Sequence, residues 1–100
     1  MKISNEDKKQ LRRLGHKLSP VVTIASKGLS ENVLAEIDRA LNDHELIKVK
    51  LNSGDSASRS EIVNSICESS TAQVVQSIGH IVLLLRKSEE PNPRLSNLLR

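Results

Sequence analysis

The chain has 100 residues, a net charge of +3 from 15 Lys and Arg against 12 Asp and Glu, and no Phe, Tyr or Trp. That length supports one domain with a modest aliphatic core, and the missing rings exclude readers that stack bases on aromatic side chains. There is no apolar run of about eighteen residues for a membrane span, no apolar signal segment near Met1, and only one cysteine, Cys67, so a reducing, cytoplasmic setting is expected.

The charge is polarised along the chain. Residues 1–28 hold seven Lys and Arg against two carboxylates, residues 29–77 hold four against eight, and residues 78–100 hold four against two. Such a distribution offers one basic face to a polyanion, which the average charge alone does not suggest.

The first predicted element is a helix over about 5–16. Ser4 is its N-cap, and Glu6 and Asp7 suit the positive end of the helix dipole. Leu11, Leu14 and Leu18 recur at i, i+3 and i+7. On a wheel of about 100° per residue, Lys9, Arg12, Arg13 and His16 cluster opposite that stripe, with Lys17 at its edge. The helix is therefore expected to pack its leucines and present its cations.

Next comes Pro20-Val-Val-Thr-Ile-Ala-Ser-Lys-Gly-Leu-Ser30, which reads as a strand, a small-residue loop and a helix start. Gly28 can adopt the positive φ of a tight turn, and Ser30 is a good N-cap. The amides of Glu31, Asn32 and Val33 would lack intrahelical partners, and Lys27 lies beside them, which suits a backbone phosphate. A helix over about 30–42 buries Val33, Leu34, Ile37, Ala40 and Leu41. Residues 45–51 then alternate, with Ile47, Val49 and Leu51 on one face and Leu46, Lys48 and Lys50 on the other, as in a half-buried strand.

Asn52-Ser-Gly-Asp-Ser56 breaks the chain before a third helix over about 57–69, which buries Ile62, Val63, Ile66 and Cys67. Residues 73–78 and 81–86 read as two strands joined by Gly79-His80, a two-residue hairpin with glycine placed for a type II′ turn. The order α-β-α-β-α-β-β gives a single α/β domain over 1–87 with a four-stranded mixed sheet, its last pair antiparallel. Residues 88–100, polar and broken by Pro91 and Pro93, are expected as a flexible tail.

Several stretches together resemble the CRM domain, specifically the single-domain bacterial YhbY-like proteins. They are Leu11-Arg-Arg-Leu-Gly-His-Lys-Leu-Ser-Pro-Val-Val22, Lys27-Gly-Leu-Ser30, Val33-Leu-Ala-Glu-Ile-Asp38, His44-Glu-Leu-Ile-Lys-Val-Lys50 and Val75-Gln-Ser-Ile-Gly-His-Ile-Val-Leu-Leu-Leu-Arg86. The resemblance spans roughly residues 5–87. It implies a fold like the C-terminal domain of translation initiation factor three, and an RNA-binding protein whose partners are ribosomal RNA and precursors of the large ribosomal subunit. The family's Gly-x-x-Gly loop falls on Ala25, Ser26, Lys27 and Gly28, its first glycine replaced by Ala25. His80 stands where the family usually has a basic residue.

The expected RNA-binding set is thus Lys9, Arg12, Arg13, His16, Lys17, Ala25, Ser26, Lys27 and Gly28, in a monomer with no cofactor, metal, membrane or small-molecule substrate. Two other classes compete. A metal-independent ribonuclease would use His16 and His44 or a Cys67–His pair, but Cys67 falls on an apolar helix face and His44 at a helix end. The carboxylates Glu36, Asp38, Asp43 and Glu45 are spread as on a solvated face rather than gathered for a metal. A protein-interaction adaptor would turn the basic face to an acidic partner.

Overall fold

A computed structural model describes residues 4–25, 29–52 and 55–98. Seven elements follow in the expected order: α1 (Asn5–His16), β1 (Val22–Ile24), α2 (Glu31–His44), β2 (Leu46–Leu51), α3 (Ser56–Ser70), β3 (Gln73–Ile78) and β4 (Ile81–Leu85). Each helix starts where a short polar side chain takes up an orphan amide. Ser4 Oγ accepts from the Asp7 amide at 3.1 Å, Ser30 Oγ from Val33 at 3.2 Å, and Asp55 Oδ1 from Ser58 at 2.8 Å. The last two helices close on Glu45 and Thr71, both non-glycine residues at positive φ, 62° and 60°. That conformation satisfies a terminal carbonyl at some steric cost: the Glu45 amide donates to Leu41 and the Thr71 amide to Cys67.

The sheet is mixed and ordered β1-β2-β4-β3. β1 and β2 are adjacent and parallel, β2 and β4 antiparallel, and β4 and β3 antiparallel across the Gly79-His80 turn. β2 and β3 consequently run the same way, but β4 inserts between them. Gly79 has φ 55°, as a type II′ turn requires at its first central position. The turn is tied to the end of β2 by the Leu51 amide donating to the His80 carbonyl at 2.6 Å, and by His80 Nδ1 against the Leu51 carbonyl at 2.9 Å. Since a carbonyl only accepts, that nitrogen carries the proton.

Both sheet faces carry helices, so the half-buried reading of β2 holds from Ile47 to Leu51 and fails at Leu46. On one face α2 and α3 enclose Val22, Ile24, Ile47, Val49, Leu51, Val82 and Leu84 together with Ile37, Leu41 and Ile66. On the other, α1 lays Leu11, with Leu14 and Leu18, over Leu46, Val75, Leu83 and Leu85. Leu46 is fully buried, while Lys48 is half-buried and Lys50 exposed on that same face, so α1 covers only one end of it. Gly15 makes the close approach: a Cβ there would lie 2.6 Å from Leu83 Cδ2 and 3.0 Å from Cδ1. No helix of the described residues is long and apolar enough to cross a membrane.

The flexible tail expected over 88–100 is corrected for residues 88–98. Glu45, 3% exposed, holds this segment with both carboxylate oxygens: Ser96 Oγ donates to Oε1 at 2.6 Å and the Ser88 amide to Oε2 at 2.8 Å. Asn97 donates from its amide to the His44 carbonyl and from Nδ2 to the Leu46 carbonyl, and Leu98 joins the α1-side core. The polar composition that suggests disorder here supplies the docking bonds. Arg86, at the exit of β4, bonds Asp38 Oδ1 at 2.7 Å, Asn42 Oδ1, and the carbonyls of Asp38 and Ser70, joining α2 to the end of α3.

Gly15→Val is expected to push α1 off the sheet. Overpacking of about 1–3 kcal/mol outweighs the few tenths by which valine beats glycine in a helix, so the thermal midpoint should fall by at least about 2 °C. An unchanged midpoint in calorimetry would show that Leu83 swings aside without penalty.

Candidate nucleic-acid interface

The docking of α1 decides which of its cations face water. Its leucines and Gly15 lie against the sheet, so Lys9, Arg13, His16 and Lys17 are exposed, and Arg12 sits half-buried on the flank. Strand pairing brings in two further cations. Lys48 pairs with Leu83 and Lys50 with Ile81, on the face that α1 only partly covers. The basic surface therefore continues from the helix along β2 towards the ends of β1 and β2. Among the described residues, none of Lys9, Arg12, Arg13, His16, Lys17, Lys48 and Lys50 engages an ion pair. Unpaired cations on one face make an electropositive strip suited to a polyanion, whereas paired ones would cancel at short range.

Ala25 is exposed immediately after β1, at the far end of this strip. It lies four residues beyond Val21, whose amide donates to the Lys48 carbonyl, a reach of roughly 13 Å along the strand direction. Ser26, Lys27 and Gly28 lie outside the described residues. At the helix start that follows, the Val33 amide is occupied by the Ser30 cap. The anion cradle expected from three amides is thereby corrected to those of Glu31 and Asn32, because a side-chain cap and a phosphate compete for one N–H.

Lys48 and Lys50 were not among the candidates from sequence, since segment charge assigns them to the acidic middle of the chain. Their signal was the alternation that placed them on one strand face; what that face looks towards depends on strand order and on where α1 lands.

The alternative chemistry finds no geometry. His16 and His44 end two helices that pack on opposite faces of the sheet, and His44 Nδ1 donates to the Leu95 carbonyl at 2.8 Å. Of the four candidate metal carboxylates, Asp38 pairs with Arg86 and Glu45 is bound by Ser88 and Ser96. No group of three or more His, Cys, Asp or Glu that could hold a metal occurs among the described residues. Cys67 is half-buried beside the α2–α3 core, and burial raises its thiol pKa above 9.0.

The fold is that of a small basic α/β domain with one helix laid over part of a four-stranded mixed sheet and lysines on the part it leaves uncovered. More specifically, the chain belongs to the CRS1/YhbY (CRM) domain family, whose model matches residues 3–86. It is 48% identical over 100 residues to a Pseudomonas aeruginosa protein named as a probable RNA-binding protein, covering 100% of this chain and 96% of that one. It is 47% identical to a Haemophilus influenzae protein named as an RNA-binding protein, covering 93% and 94% of the two chains. Among solved structures, the solution structure of a hypothetical Staphylococcus aureus protein described as a candidate RNA binder superposes with a TM-score of 0.77. The two are 30% identical, with 89% of this chain and 93% of that one covered.

The raised Cys67 pKa has a testable sign. The folded state holds the thiol proton more tightly than the unfolded chain, so this contribution to stability is present below the unfolded pKa and lost as pH rises through the folded value. At pH 8, alkylation by iodoacetamide should be slower in the folded protein than in urea, with a thiolate-limited rate still rising above pH 9. Equal rates in both states would contradict the burial of this thiol.

Proposed function

We propose that this protein binds ribosomal RNA and assists assembly of the large ribosomal subunit by holding precursor RNA, without turnover of its own. The observation that carries the reading is the strip of unpaired cations running from α1 onto the open end of the sheet. Lys9, Arg13, His16 and Lys17 would meet phosphates from the helix, with Arg12 reinforcing the flank and Lys48 and Lys50 extending the track. The loop Ala25-Ser-Lys-Gly28 would grip a further phosphate, Lys27 by charge and Gly28 by allowing the backbone to approach. Family membership and the names of the relatives support RNA as the polyanion. With no aromatic residue in the chain, affinity would rest on backbone and shape, and binding should be structure-guided with weak sequence preference. The protein would act in the cytoplasm as a monomer, with no cofactor.

Reversing Lys9 and Arg13 to Glu tests the helix face at exposed positions, where the fold should be indifferent. RNA affinity should collapse at low salt, and the slope of log affinity against log salt should flatten by roughly 0.7 for each phosphate of single-stranded RNA that the variant no longer neutralises. Unchanged affinity at matched ionic strength would refute the role of this face.

For the assembly role, the tagged protein should sediment with immature large subunits in preference to finished ribosomes, and that association should vanish on nuclease treatment. Persistence after RNA digestion would point instead to a protein adaptor. Sedimentation with no ribosomal particle would sink the assembly reading while leaving RNA binding intact.

A further inference from the structure

β3 contains a bulge. Its register against β4 runs Gln73↔Leu85, Val74↔Leu84, then Gln76↔Leu83, Ser77↔Val82 and Ile78↔Ile81, leaving Val75 as the extra residue. A bulge places two consecutive side chains on one face and reverses the alternation beyond it. Val75 accordingly joins the α1-side core, and Gln76 and Ile78 also point to that side, where a regular strand would have placed Ser77. The result is a groove of about 200 Å³ beyond the end of α1, floored by Ile78, Ile81 and Leu83, with Gln76 on one edge and Lys48 and His16 on the rim. Ile78 is 61% exposed, the most exposed large hydrophobic side chain described. The Gln76 side chain makes no hydrogen bond among the described residues, while its backbone pairs with Leu83 in the ladder.

We propose that this groove is a base-binding subsite that takes one unstacked nucleobase from a single-stranded segment of RNA. The proposal rests on the RNA-binding reading above and says where a base, as opposed to a phosphate, would be held. Three features select this occupant. The floor is aliphatic and open, so it can cover the face of a flat ring without an aromatic partner. The volume is below the roughly 300–1,000 Å³ of sites that enclose a drug-sized ligand, which suits one ring system. Finally, Lys48 lines the groove with His16 beside it, and no carboxylate does, so a flanking phosphate of the same nucleotide finds opposite charge while an acid-free apolar ligand would not use it. The Gln76 amide, donor and acceptor at once, can pair with the edge of any base. A larger groove of about 330 Å³ between α3 and the hairpin, lined by Ser56, Arg59, Ser60 and Asn64, contains none of the cations of α1.

Fluorescence anisotropy at fixed, low ionic strength tests this with two probes, a short oligoadenylate and an abasic ribose-phosphate oligomer of equal length. The native protein should prefer the oligoadenylate by about fivefold, less than an aromatic platform would give. Ile78→Ser, neutral and at an exposed position, should erase most of that preference while leaving affinity for the abasic oligomer and the circular dichroism spectrum unchanged; Gln76→Ala should reduce it. The Lys9→Glu, Arg13→Glu variant should instead weaken both probes alike. Equal binding of the two probes by the native protein, or a preference that survives Ile78→Ser, would overturn the base subsite and leave the phosphate-binding face standing. Failure of the native protein to bind either probe or structured ribosomal RNA would overturn both.

Discussion

The antiparallel pairing of β2 with β4, from Leu46↔Leu85 to Lys50↔Ile81, is the constraint on which the rest of the structure depends. These are the two central strands, and each is apolar towards both layers at the end where α1 docks. Ile47, Val49, Val82 and Leu84 serve the α2–α3 core while Leu46, Leu83 and Leu85 serve the α1 core. A sheet buried on both sides must satisfy its ladder internally and cannot slip in register without driving Lys48 or Lys50 into an aliphatic layer. Register and the location of the basic strip are therefore consequences of one pairing.

That pairing also explains why the α1 face is divided into a dry and a wet half. Leucines occupy β2 and β4 only where the helix covers them, and lysines take over in β2 where it does not. Gly15 sets the depth of the approach, because its hydrogen meets Leu83 where a methyl group would not fit. A helix held further out would leave its leucines partly wet and lift His16 away from the sheet, so packing and site geometry share this contact. The bulge at Val75 acts at the neighbouring strand by re-aiming Gln76 and Ile78 into the uncovered half.

The segment after β4 is joined to the fold at the exit of α2. Glu45 closes α2 at positive φ and uses both carboxylate oxygens on Ser88 and Ser96, while its carbonyl accepts from the Arg86 amide at 2.9 Å. A buried carboxylate with two such donors is satisfied without a cation. With Arg86 bridging α2 and α3 nearby, the helix ends and the chain exit form one hydrogen-bonded seam.

Element order, caps and the two-faced character of α1 were legible in the sequence because each rests on local physics. Ser4 and Ser30 mark helix starts by capping amides three residues away, Leu11 and Leu14 share a face by helical period, and Gly79-His80 makes a turn of hairpin length with glycine where positive φ is required. Family membership was legible too, in motifs spread over most of the chain. Strand order was not, since nothing local tells β4 to insert between β2 and β3. Nor was the docking of residues 88–98, whose serines and asparagines resemble a solvated tail until Glu45 and the Leu46 carbonyl stand opposite them. The basic candidates of α1 were therefore found from periodicity alone, whereas Lys48, Lys50, Gln76 and Ile78 came to the same surface only through non-local pairing and a one-residue bulge. A sequence determines which faces its elements possess; the contacts made across the sheet determine which of those faces meet water.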